Sequence, residues 1–437
     1  MTTRAPEPRN HDALPADAVL PLVVRTVALE TGPGTEAPLV DLLPADGALA
    51  WLRGGEGLVG WGTAASITTA GATRFAEAER WWSRLAARAV VRDEVGTPGT
   101  GLVSFGTFAF ADDPGTSTLV VPRVLVGQRG GKRWLTTIGR DTIGVPATRV
   151  AEPPSAPQGL AFGPGALSEG DWEAVVADAV ARIDGGDLEK VVLARDVVAR
   201  LDEPLDVRWP LRRLAAAYPT CWTFHVDGLF GATPEMLVRR ERGLVTSRVL
   251  AGTIRRTGDE VRDAGLAGEL ARSSKDLEEH EYAVRSVADA LEPHCSSMNV
   301  PESPFVLHLP NVMHLATDVT GVVPEDASVT SLGLAASLHP SAAVGGTPTP
   351  AATALIAWIE GMERGRYAGP VGWMDASGDG EWGIALRSAQ VEQPAPGEGG
   401  GRVRLFAGCG IVAGSDPAAE LAESQAKLEP VRHALGG

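Results

Sequence analysis

Two stretches of the chain hold side chains that could move protons. In LEKVVLAR, Lys190 enters the apolar run Val191, Val192 and Leu193, and an ammonium beside such a run is either solvated at its rim or held for a purpose. To act as a base it must shed its proton near neutrality, from an ordinary pKa of about 10.4, which takes desolvation or a neighbouring cation. In FGATPEML, Thr233-Pro234-Glu235 reads one way as a helix start, with a cap residue, a proline in the first turn and a carboxylate at the positive end. Read the other way, Glu235 is a carboxyl in a partly apolar wall between Phe230 and Met236, where burial raises its pKa until it can donate a proton.

Other residues could bind rather than react. Asp276 and Glu279 in SSKDLEEHE lie three apart on one helix face, and Asp416-Pro417 begins a helix that aligns Glu420 and Glu423. Two carboxylates from separate helices, with several coordination positions left open, suit magnesium; the alternative is two solvated amphipathic faces. Arg387 in WGIALRSAQ alternates with apolar neighbours along an expected strand, where a guanidinium is costly unless an anion meets it. His314 in MHLATD reads as a ligand's hydrogen-bond partner or as a satisfied core histidine. The strand RLFAG runs into Gly408-Cys409-Gly410-Ile411-Val412-Ala413, which satisfies the dinucleotide pattern GxGxxA. A Rossmann unit also needs a second parallel strand and an acidic residue about twenty positions on, and only one helical stretch follows. The segment is therefore read as a loop whose free N–H groups face a small anion such as a carboxylate, or as a plain tight turn.

These groups need a scaffold, and the chain supplies its elements. Ser168 is an N-cap followed by Asp171, then Trp172, Val175, Val176, Ala179, Val180 and Ile183 at helical spacing; Gly185-Gly186 stops that helix just before the Lys190 strand. Further helices are expected over 264–292 and 415–434, and strands over 220–238, 305–320, 368–375, 381–391 and 402–407. The section before about Arg149 mixes strand-like pieces (WLRGGEGLVGWG, GLVSFGTFAF, STLVVPRVLV) with a helix whose inward face carries Phe75, Trp82 and Leu85. A Pro-rich stretch, AEPPSAPQGLAFGPG, follows as a boundary or a surface crossing. Strands broken by long helices without regular βα alternation indicate an α+β fold, and residues 1–17 are expected to be a disordered tail.

Composition removes several functions. With 44% apolar residues in 437, the chain can bury a large core. A net charge of −16 and a pI near 5.0 oppose attraction to nucleic acid or anionic membranes. No apolar run approaches the roughly 20 residues of a membrane span and the N-terminus lacks a signal-peptide core, so a cytoplasmic location is expected. Cys221, Cys295 and Cys409 are too few and too scattered for a disulfide framework or a thiolate metal site.

KVVLAR, FGATPEML, LAGTIRR, SSKDLEEHE, HLATDVTG, LHPSAAVGG, ERGRYAGPVGW, EWGIALRSA and AGCGIVAGSDPAAELAESQAKL, in this order between about 170 and 432, resemble the chorismate-utilising enzymes, and among them the isochorismate synthases. The resemblance implies a single large α+β unit over 18–437, with an N-terminal section at 18–150 and a catalytic core at 166–434, built of layered antiparallel sheets with helices outside. It implies that Lys190 activates water and Glu235 protonates the departing hydroxyl, while Glu279 and Glu423 hold Mg²⁺ with Glu420 nearby. Arg387, Tyr367 and the amides around Gly408 and Gly410 would clamp the carboxylates of chorismate, with Gly252, Thr253 and His314 lining the pocket. A monomer without a glutaminase subunit is expected. Ammonia-using anthranilate and aminodeoxychorismate synthases generally lack a lysine at the Lys190 position; salicylate synthases share it and then eliminate pyruvate. HPSAAVGG departs from the common HPTPAVGG at Ala342, a small change in that pocket wall.

Overall fold

Ser168 caps the helix Glu169–Asp184 by accepting a hydrogen bond from the Asp171 amide, and the helix buries Trp172, Val176, Ala179 and Ile183. It stops at Gly185, and after a turn the chain enters a strand of 12 residues, Lys190–Leu201. These elements belong to a computed structural model that describes residues 21–29, 37–140, 150–309, 312–324, 327–392 and 399–437, apart from the side chains of Lys275 and Glu279. The tail expected over 1–17 lies outside the described residues.

Two large sheets organise the chain, one of 13 strands and one of 10. Every pairing among the described residues is antiparallel except that of Val23–Ala28 with Val90–Asp93. The fold is α+β, as read. The Pro-rich stretch separates no sheets, because strands from either side of it pair with each other. Ala48–Arg53 pairs with Trp222–Val226 in the larger sheet, and Val103–Thr107 pairs with Pro370–Asp375 in the smaller. Trp51, Phe105, Trp134, Phe224 and Trp373 come from strands of both sheets and share one apolar cluster. A second, larger cluster buries helix faces against the sheets, with Trp82, Trp172 and Val284 among its members. The helix Arg74–Arg88 buries Ala78, Trp82 and Leu85 as its spacing requires, whereas Phe75 is only partly covered.

Three local expectations are corrected. The helix expected over 264–292 is two, Glu260–Leu270 and Ser274–Leu291, because Ser273 accepts from the Asp276 amide and starts a new helix. Thr233-Pro234-Glu235 starts no helix. Leu229–Thr233 belongs to the 13-stranded sheet and Met236–Glu241 to the 10-stranded one, so Pro234-Glu235 is the crossing between them. Gly408–Val412 forms neither loop nor turn but the end of a strand, Gly401–Val412, paired along its whole length with Lys190–Leu201. That antiparallel pairing also disposes of the dinucleotide pattern, which needs a turn between parallel strands.

Candidate active site

Strand alternation answers what Lys190 faces. Lys190, Val192 and Ala194 lie on one side of their strand and line a cavity of about 250 Å³, while Val191 and Leu193 on the other side are buried in the core. Directly opposite sit Val412, Gly410 and Gly408, in register with Lys190, Val192 and Ala194, and they line the same cavity. Gly346 pairs with Val191 on the other flank; a Cβ there would lie 2.2 Å from the Lys190 carbonyl oxygen, so only glycine lets HPSAAVGG close against this strand.

The opposite wall is built where the chain changes sheets. Pro234-Glu235 carries it from the larger sheet to the smaller, and Ala385-Leu386-Arg387 carries it back, between the strands Gly380–Ile384 and Ser388–Glu392. The two crossings are tied together: the Ile384 amide donates to the Glu235 carbonyl at 3.2 Å and the Ala232 amide to the Arg387 carbonyl at 3.2 Å. Arg387 thus lies in a break rather than inside the expected strand, with φ 49°. A break lets an inward side chain leave the alternation and point into the gap between sheets.

A bulge supplies the third wall. Along the pairing of Leu244–Arg255 with Val312–Val322, Ala251 opposes Leu315 and Thr253 opposes His314, which leaves Gly252 as the extra residue at φ 75°. Thr253 Oγ1 and His314 Nδ1 lie 3.0 Å apart. His314 Nε2 is buried with no hydrogen-bond partner among the described residues, and burial, with Arg387 and Lys427 adding to it, lowers the imidazole to about 3. A neutral imidazole with one unused nitrogen fits a ligand-binding role better than that of a satisfied core histidine.

Charge is distributed unevenly around this space. Burial raises the Glu235 carboxyl to about 8, against the pull of the Lys190 and Lys427 ammoniums. Burial likewise pushes Tyr367, stacked on Phe406 at 5.1 Å, up to about 12. The Arg387 side chain is 9% exposed, has no hydrogen bond or ion pair among the described residues, and is lowered from its ordinary value by burial. A buried guanidinium with five unused donors is built to receive an anion.

The helix Pro417–Leu435, capped by Asp416, brings acid and base to the cavity. Glu420, Glu423 and the Cys409 thiol present ligand atoms within 4.8 Å of one another. Burial raises the Cys409 thiol and its Sγ contacts the Glu420 carbonyl at 3.3 Å, so within this group the two carboxylates are the atoms that could hold a metal. Asp276 reaches the same cavity from the helix Ser274–Leu291. Carboxylate oxygens on two helices fit a hard cation such as Mg²⁺. The Glu279 side chain, expected as a ligand, lies outside the described residues.

Of the residues expected at the site, Lys190, Glu235, Gly252, Thr253, His314, Tyr367, Arg387, Gly408, Gly410 and Glu423 all line this cavity. Gly408 and Gly410 do so at a strand edge, not in a loop: pairing with Ser388–Glu392 ends at Ser388 and Phe406. Beyond that point the edge faces the cavity. Lys427 and Arg364 also line it and were not anticipated. Lys427 Nζ donates to the Gly408 carbonyl at 2.9 Å and pairs with Glu423 at 2.6 Å. Burial opposes that ammonium, yet Cys409 and Glu423 hold its pKa above the ordinary lysine value. The four-residue spacing of Glu423 and Lys427 on one helix was a visible signal for it.

The model of a family described as chorismate binding enzyme matches residues 52–152 and 147–436. Isochorismate synthase DhbC of Bacillus subtilis is 40% identical over 277 residues, covering 61% of this chain and 68% of that protein. The salicylate biosynthesis isochorismate synthase of Pseudomonas aeruginosa is 36% identical over 403 residues, covering 86% of this chain and 82% of that protein. The crystal structure of DhbC from Bacillus anthracis matches with a TM-score of 0.74 at 31% identity, covering 91% of this chain and 98% of that one.

Proposed function

Because the chain belongs to the chorismate-binding enzyme family, we propose that it is an isochorismate synthase, which adds water at C2 of chorismate while the 4-hydroxyl leaves and the ring double bonds shift between them. The observation that carries this reading is the placement of Lys190 and Glu235 on different walls of one cavity, the carboxyl held protonated at neutral pH by burial. Lys190, acting as the base, takes a proton from the attacking water; Glu235 gives its proton to the departing hydroxyl. The two then stand with one proton exchanged between them, and solvent resets both. Arg387 and Tyr367 receive a substrate carboxylate, and His314 Nε2 offers a hydrogen bond to the ring substituents. Glu423 and Glu279, with Glu420 as a further candidate, would hold Mg²⁺, which would neutralise charge where a substrate carboxylate approaches acidic side chains.

Lysine as base also bears on the nucleophile. Ammonia is nucleophilic when neutral and gains less from such a base than water does, so the enzyme needs no glutaminase subunit. Incubation of the protein with chorismate, Mg²⁺ and an ammonium salt, followed by chromatography, tests the reading. A mixture of chorismate and isochorismate is expected, reached from either side and nearly abolished by Lys190→Ala. Accumulation of salicylate or of an aminated product would overturn it.

A further inference from the structure

The strand that carries Lys190 lacks a neighbour over part of one edge. Ala161–Pro164 pairs with Val197–Arg200, and Gly346-Thr347 pairs with Lys190-Val191. Between these short partners the outward backbone groups of Val192 and Ala194 face no strand. Buried backbone groups need partners, and here each finds one. The Val192 amide donates to the Gly345 carbonyl at 2.9 Å, and the Val192 carbonyl accepts from Arg364 Nη2 at 2.6 Å. The Ala194 amide donates to Glu360 Oε1 at 2.7 Å, and its carbonyl accepts from Trp172 Nε1 at 3.2 Å.

Glu360 and Arg364 are 1% and 5% exposed and form an ion pair, Arg364 Nε lying 2.9 Å from Glu360 Oε2. Arg364 also donates to the Val344 carbonyl at 3.0 Å and lies over the Phe110 ring at 4.2 Å. Its donors are almost all spent on the protein, although it borders the cavity. A simple strand pairing would have satisfied the same backbone at less desolvation cost, since burying two charges is expensive. What the ion pair adds is a rigid two-point clamp on Val192 and Ala194, the residues that share Lys190's face.

We infer that Glu360 and Arg364 are positioning residues for Lys190: they replace the missing strand neighbour and hold the cavity face of Lys190, Val192 and Ala194 at a fixed distance from Glu235. This rests on the function proposed above. The pair touches no reacting atom. It sets the alignment of the lysine amine with the attacking water, and misplacement by about 1 Å can cost on the order of a hundredfold in rate.

The test compares Glu360→Ala, Glu360→Gln and Trp172→Phe with the wild-type enzyme. Glu360→Ala should lower kcat about a hundredfold while KM for chorismate stays within about threefold. The solvent deuterium isotope effect on kcat should rise, because proton transfer to a misaligned amine becomes slower; a smaller folded fraction would leave that effect unchanged. Glu360→Gln keeps an oxygen for the Ala194 amide and should recover much of the rate. Trp172→Phe removes one of the four bonds and should lower kcat only a few-fold. Amide hydrogen exchange across 190–196 should quicken in Glu360→Ala, and this is readable without turnover. Failure of the wild type to form isochorismate, with exchange still quickened, would sink the function and leave the clamp standing. Unchanged exchange, or a folded Glu360→Ala enzyme with kcat within twofold of wild type or with a raised KM alone, would overturn the inference.

Discussion

Arg364, Arg387 and Glu235 line one cavity, Glu360 is paired with the first of them, and these four buried charges are spent in opposite ways. Glu360 and Arg364 are paired with each other and with backbone groups of Val192, Ala194 and Val344. Arg387 pairs with nothing among the described residues, and Glu235 has only electrostatic neighbours for its carboxyl, Lys190 and Lys427. Burial alone does not distinguish the two sets. Occupancy of donors and acceptors does: one side of the cavity has satisfied its charges inside the protein, and the other keeps them for a ligand.

The contrast breaks most visibly in stability. Arg364→Met leaves a carboxylate and two carbonyl groups buried without their partner, a change of the kind that costs about 3–5 kcal/mol. Urea unfolding should show a loss of that size, with the slope unchanged. Arg387→Met removes a buried cation that has no hydrogen bond or ion pair among the described residues, Glu423 acting on it only through its charge, and the unfolding midpoint should stay level or rise. Equal losses in both variants would end the distinction.

How much of this could be read from the sequence depends on the range of the cause. Local rules sufficed for the helix at Ser168, the strand at Lys190 and the helix after Asp416, because caps, glycine stops and apolar spacing act within a few residues. The cavity residues followed once ordered motifs suggested a family. The crossings did not follow. Pro234-Glu235 carries every local mark of a helix start, and its conversion into a link between sheets rests on pairing with residues about 150 positions away, such as Met236 with Gly383. Gly408 and Gly410 look like a turn until Lys190–Leu201 lies beside them. Arg364 went unnoticed because its meaning depends on where Ala161–Pro164 ends its pairing.

Binding is the next point of difference. Losing the Arg387 guanidinium removes charge-assisted hydrogen bonds worth about 1.5–3 kcal/mol, so Arg387→Met should raise the KM for chorismate by a factor of about 10 to 150. Arg387→Lys keeps the charge without the planar fork and should fall between. Steady-state kinetics decide it: a KM within twofold of wild type in Arg387→Met would mean that the free donors serve no substrate.

The last difference concerns the two glutamates and is read against pH. Burial raises the Glu235 carboxyl from 4.5 to about 8, so between those limits the folded chain holds a proton that the unfolded chain has released. The free energy of unfolding therefore falls as pH rises through that window and levels off above it. Glu235→Gln has no such proton, and the stability difference between wild type and variant should drift across the same window and be flat outside it. Glu360 does not offer the same test, since burial raises it while Arg364 pulls it back. In kinetics the consequence is an alkaline limb: kcat should fall by about twofold between pH 7 and 8, about fivefold between 8 and 9 and about tenfold per unit beyond, as the acid form is depleted. A limb displaced to the ordinary carboxyl range near 4.5 would place Glu235 with the satisfied charges, and the division of the cavity into a braced side and a reactive side would lose its acid.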